Sequence, residues 1–168
     1  MIWDRGMGSL PFWGLFFLRG CGIIYKAIIS HSGDECMEQY EVTLLNLADS
    51  SEINTVVYAD EAETTDNIIL KIMINGSELT SESDQYLTAY QILRDKLLKI
   101  GFELKCNGSL INANQSAMMS YTPKMYLVRI GEQAAMKDIV SIWDYCDTDD
   151  FPTTEQQKLF IQDWFASL

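Results

Sequence analysis

Between residues 39 and 100 the spacing of apolar side chains switches from two to alternating threes and fours, which restricts the chain to folds that lay a helix on a run of strands. In Gln39 to Leu47, Tyr40, Val42 and Leu44 alternate with Glu41 and Thr43, the pattern of a half-buried strand. Ile53 to Tyr58 reads as a second strand. Asn67 to Ile74 reads as a third, with Ile68, Leu70, Ile72 and Ile74 on one face and Ile69, Lys71 and Met73 on the other, closed by the turn dipeptide Asn75-Gly76. Consecutive strands with no helix between them predict an antiparallel sheet. Tyr86, Tyr90, Leu93, Leu97 and Ile100 then fall on one helical stripe, while Arg94, Asp95, Lys96 and Lys99 lie largely off it. Ser83 or Asp84 is the expected cap of this helix, and Gly101 the expected left-handed residue at its end.

Beyond the helix the pattern weakens. Phe102 to Cys106 predicts a short strand, and Asn107 to Pro123, with Gly108, Asn112, Asn114, Ser116, Met118 and Met119, a long polar loop of the kind that often carries function. Lys124 to Ile130 alternates again and is the expected last strand, ended by Gly131. Met136, Ile139, Val140 and Trp143 repeat at helical spacing and predict a short helix. Thr153-x-x-Gln156 forms a capping box before a final helix bearing Leu159, Phe160, Asp163 and Trp164. The sum is an α+β domain over residues 37–168, a largely antiparallel sheet of about five strands covered on one face by three helices.

Charge narrows the partners. Of 24 carboxylates, 21 follow Met37, against nine Lys and Arg, so residues 37–168 carry the whole formal charge of −12. Such a surface repels nucleic acid and anionic lipid and attracts basic proteins. Four well-separated cysteines, Cys21, Cys36, Cys106 and Cys146, have no C-x-x-C pair, which suggests reduced thiols rather than a zinc ribbon or a disulfide framework.

Residues 1–36 are compositionally foreign to the rest. The apolar run Leu10 to Leu18 has nine residues where a spanning helix needs about 20. Leu18-Arg19-Gly20-Cys21 resembles the bacterial lipoprotein cleavage box and implies acylation at Cys21 as one fate. Arg19 is a charge where that box has a small uncharged residue, however, and Asp4 offsets Arg5 in the leader. Because the strand pattern opens directly after Met37, the segment is read first as an upstream extension. His31, the only histidine, then lies outside the working domain.

Catalytic signatures are absent: no Walker A, G-x-G-x-x-G, G-x-S-x-G or H-E-x-x-H occurs, and the only imidazole is His31. One cluster stands out, Asp144, Asp147, Asp149 and Asp150 in WDYCDTDDFP. Grouped carboxylates suit calcium or magnesium, but the cluster lacks the alternate ligands, central Gly and terminal Glu of an EF-hand loop. With Trp143 and Tyr145 beside it, the same segment also has the composition of a partner-binding patch, in which carboxylates capture Lys and Arg while aromatics supply contact area.

The C-terminal half resembles a group of small uncharacterised bacterial proteins. The resemblance rests on Cys106-x-Gly108, Ser116-x-Met118, Tyr126 before Gly131 and Ala134, Asp138-Ile139-Val140-x-Ile142-Trp143-Asp144, and a terminal helix ending at Leu168. The chain departs from the group at Ser120-Tyr121-Thr122-Pro123, where a Gly-rich turn is usual, and in residues 1–36. The group implies no activity. By size and charge it is similar to bacterial immunity proteins, which implies a cytoplasmic, non-enzymatic binder of a basic toxin domain that uses Asp144, Asp147, Asp149, Asp150, Trp143 and Tyr145. No cofactor, nucleic acid or membrane enters that reading; the alternatives are a metal-dependent enzyme or metal-binding protein using the 144–150 carboxylates and an envelope lipoprotein acylated at Cys21.

Overall fold

The structure is a computed structural model, described here for residues 37–168; Cys21, His31 and Cys36, and with them the lipoprotein and leader readings, lie outside the described residues. Strands β1 (Glu38–Asn46), β2 (Glu52–Glu61), β3 (Ile68–Ile74) and β4 (Ser77–Ser83) run as an antiparallel meander. Helix α1 (Tyr86–Lys99) follows, and β5 (Phe102–Leu104) returns beside β1, giving the order β4-β3-β2-β1-β5. This is the α+β, antiparallel architecture that the spacing predicts.

The alternation in β3 is realised residue by residue. Ile68, Leu70, Ile72 and Ile74 are buried, whereas Ile69 and Lys71 are half-buried and Met73 is exposed. Helix α1 supplies the cover: Tyr86, Ala89, Tyr90, Leu93 and Leu97 join the strand residues in one core. Each fully buried leucine contributes about 1.5–3 kcal/mol relative to an exposed one. Gly101, at φ +85°, ends the helix in the left-handed conformation and turns the chain straight into β5. The start differs from expectation. Gln85 occupies the cap position without a side-chain hydrogen bond, so neither Ser83 nor Asp84 caps α1.

Two further expectations are corrected. The fifth strand of the main sheet is Ser77–Ser83, not Lys124 to Ile130. Asn75 (φ +51°) and Gly76 (φ +77°) both take positive φ, the two-residue hairpin that returns a strand at once. The segment 124–130 instead contributes β7 (Lys124–Leu127) to a separate three-stranded sheet, flanked by β6 (Ala113–Asn114) and β8 (Ile139–Ser141). The expected short helix over Met136 to Trp143 is therefore a 3₁₀ turn, Met136–Asp138, followed by β8. Its apolar residues serve two structures: Ile139 and Val140 pair with β7, and Ile142 and Trp143 enter the main core.

Helix α2 (Thr154–Ala166) starts at the predicted capping box. The Gln156 amide N–H donates to Thr153 Oγ1 at 3.2 Å, and the Thr153 amide donates to Gln156 Oε1 at 2.8 Å. Gln157 and Trp164 form its buried face, while Leu159 is exposed. Gln157 ties the C-terminal segments together. Its amide nitrogen donates to the carbonyls of Gly108 (3.0 Å) and Leu110 (2.7 Å), and its oxygen accepts from Gln91 of α1 (3.0 Å). A buried side-chain amide satisfied in this way costs little and fixes the approach of α2.

Candidate functional site

The segment Trp143 to Asp150 divides between the interior and the surface. Trp143 is 4% exposed. Its ring stacks on Tyr40 (5.4 Å, 23°), meets Tyr90 edge-on (5.3 Å, 71°), and its Nε1 donates to the Tyr86 hydroxyl at 2.9 Å. An indole held by three tyrosines and a satisfied N–H cannot also anchor a partner, so Trp143 is removed from the binding residues and assigned to the core. Tyr145 is exposed, as are Asp144, Asp149 and Asp150.

Asp147 has a different role from its neighbours. It accepts from Lys105 Nζ at 2.7 Å, and Lys105 donates equally to Glu52 Oε1 at 2.7 Å. Lys105 is buried along its stem, and the two carboxylates raise its pKa, Asp147 most strongly; the same contact lowers that of Asp147. The Tyr145 hydroxyl also reaches Asp147, at 3.4 Å. An antiparallel bridge between Cys106 and Tyr145 and the Cys146 N–H to Lys105 carbonyl bond (3.2 Å) lay this segment along the continuation of β5. The fold thus brings Tyr145 and Asp147 to the sheet edge and leaves Asp144, Asp149 and Asp150 as separate surface charges. Among the described residues no three His, Cys, Asp or Glu side chains are arranged to hold a metal ion.

The resemblance motif lies chiefly in packing. A Cβ on Gly108 would come within 2.8 Å of the Tyr90 ring and of Ile142, so only glycine fits there. Cys106 is buried beside the Tyr90 hydroxyl (3.2 Å), which also bonds Ser109 Oγ (2.6 Å). Burial pushes the Cys106 thiol up to about 11, the opposite of what a nucleophile needs. Asp138 accepts from the Ala135 N–H at 3.0 Å and pairs with Arg129 at 3.3 Å. Met118, by contrast, is 96% exposed. The loop from Asn107 to Pro123 carries two 3₁₀ turns and β6, and Gln115 fastens it by accepting from the Leu87 N–H and donating to the Thr122 and Lys124 carbonyls.

Two shallow grooves flank α2, of about 240 and 490 Å³, and neither contains a carboxylate. Their ionisable groups are Lys158 in the first and Tyr126 in the second. Elsewhere, Glu103 on β5 is a carboxyl strongly perturbed by its surroundings. Its carboxyl is pushed up to about 7 by burial, against the pull of the Arg94 guanidinium. Arg94 is itself buried and donates to Thr154 Oγ1 at 2.9 Å, and Arg94 Nη1 and Glu103 Oε2 are each without a hydrogen-bond partner among the described residues. This pair sits where α1, β5 and the start of α2 converge.

Carboxylates scattered along the sequence are gathered by the sheet. Glu41, Glu52, Asp60, Glu78 and Glu82 occupy the positions of β1, β2 and β4 that point away from α1. Their signal is present in the alternation of β1 and β2, whereas Glu78 and Glu82 join them only through the pairing of β4 with β3. Among the described residues no helix is long and apolar enough to cross a membrane. No protein-family model matches the chain, and no curated protein matches it.

Proposed function

We propose that this protein is a non-enzymatic acidic binder of a cationic protein, and that its most concrete form is a bacterial cytoplasmic immunity protein that neutralises a basic toxin domain. The observation that supports this best is how four of the nine cations after Met37 are held within the fold. Lys105 is held by Glu52 and Asp147, Arg129 by Glu132 and Asp138, Arg94 is buried, and Lys96 donates to the Thr80 carbonyl. Most of the 21 carboxylates after Met37 are left without a counter-charge of their own. Opposite charge raises encounter rates by about 10 to 10³ fold at low salt, which suits a protein that must capture a toxin before it acts. Asp144, Asp149, Asp150 and Tyr145 belong to this surface; Asp147 contributes to it while also holding Lys105.

Co-expression with the product of the neighbouring gene, scored for protection of the host, tests the reading. Protection, with an association rate that falls as salt rises, is expected. A partner bound at a rate independent of salt would reject the electrostatic account, and turnover of a substrate by the purified protein would reject the non-enzymatic one.

A further inference from the structure

The five-stranded sheet has two faces, and among the described residues only one is packed over β1 to β4; at the β5 end Glu103 and Lys105 are buried on the other. Helix α1 covers the face carrying Val42, Leu44, Val57, Leu70 and Ile72. On the other face the register sets side chains in rows across the strands. Asp60, Ile69 and Glu82 lie side by side on β2, β3 and β4, and Gln39, Tyr58, Lys71 and Thr80 form the adjoining row. Met73 stands beside Glu78, and Val56 beside Glu41. The centre is largely apolar with one cation in it: Val56, Tyr58 and Ile69 are half-buried, Met73 is 48% exposed, and half-buried Lys71 stands between Ile69 and Met73. Four carboxylates, Glu41, Asp60, Glu78 and Glu82, surround it, and none of them has a Lys or Arg within ion-pair distance among the described residues. An apolar centre inside a charged rim is the anatomy of a protein-binding surface.

We propose that this open sheet face is the docking surface, and that its occupant is a cationic protein surface whose Lys and Arg side chains ring an apolar strip. The inference rests on the acidic-binder reading and moves the site from the 144–150 segment to the sheet. Charge decides among occupants. A second copy would set the four carboxylates against four more, an anionic membrane or nucleic acid would be repelled, and a basic surface gains at every rim position. Engagement by the face, not the edge, follows from β4. That edge strand carries Glu78 and Glu82, and the side chain of Lys96 takes the Thr80 carbonyl, which blunts it against an added strand.

The test uses the full chain, isotope-labelled, titrated at low salt with an alternating lysine–leucine peptide and, in parallel, with an alternating glutamate–leucine peptide, while amide shifts are followed by NMR. The expected result is that only the cationic peptide binds and that its shifts concentrate on Val56, Tyr58, Ile69, Lys71 and Met73. The double variant E41K/E78K, folded by its unchanged amide pattern elsewhere, should then lower the association rate by about tenfold or more, and D149K/D150K should not. Shifts concentrated on Asp144 to Asp150, or face amides already shielded in the free chain by residues 1–36 or by a second copy, would overturn this inference and leave the acidic-binder reading standing. Failure of the cationic peptide to bind anywhere, or equal binding of both peptides, would overturn both.

Discussion

The two faces of the main sheet are made by the same strands and differ in every other respect. Toward α1, Val42, Leu44, Val57, Ala59 and the alternate residues of β3 are aliphatic and almost wholly buried, and Trp143 with its three tyrosines packs into that core. On the opposite face the intervening residues mix carboxylates with a few partly covered apolar groups. Stability therefore resides on one face, and the other can change its chemistry at little cost to the fold.

Substitutions can break or sharpen this contrast. The largest effect is expected from Trp143→Ala, which empties an aromatic site and orphans the Tyr86 hydroxyl; a loss of about 3–5 kcal/mol in urea unfolding is expected. A loss below 1 kcal/mol would return Trp143 to the surface and restore it as a partner contact. Leu70→Ala, on the covered face of β3, is expected to cost about 2–5 kcal/mol. Gly108→Ala presses a methyl group into the Tyr90 ring and is expected to cost about 1–3 kcal/mol.

Acid titration sharpens the contrast in another way. Because the Glu103 carboxyl is raised from its ordinary 4.5 to about 7, the folded state holds that proton more tightly than the unfolded chain. Its contribution is fully present below about pH 4.5 and is lost as pH rises toward 7. Asp147, lowered by Lys105, gives the opposite slope, and only below the ordinary Asp range near 3.8. Thermal melts of Glu103→Gln should show a flatter dependence across pH 4.5 to 7 than the parent; an unchanged slope would mean that Glu103 stays ionised. The smallest effect is expected at Met73→Ala on the open face of the same strand as Leu70, within about 0.5 kcal/mol.

The covered face was legible in the sequence because burial imposes a period, and Ile68, Leu70, Ile72 and Ile74 have no other reason to alternate as they do. Gly101 and the Thr153–Gln156 box were legible for a similar reason, since each meets a local backbone need. Strand β4 was not legible from hydropathy. An edge strand of sequence SELTSES needs little apolar character, and the one signal for it was the two-residue turn Asn75-Gly76. Residues 139–143 misled for a different reason. Ile139 and Val140 belong to a strand and Ile142 and Trp143 to the core beyond it, and their sum imitates a helical stripe. The candidate site suffered from the same limit. Sequence proximity grouped Trp143 with Asp144 to Asp150, whereas the fold turns the indole inward and assembles Glu41, Asp60, Glu78 and Glu82 from three strands.

Docking on the sheet face opposite α1 requires that face to stand open in the full chain, as it does over β1 to β4 among the described residues. Hydroxyl-radical footprinting of the full chain reads this directly through its methionines. Met73 and the exposed Met118 should both be oxidised readily, while Met125, fully buried, should stay protected. Protection of Met73 to the level of Met125 would mean that the face is already covered in the free protein, and the account would fail.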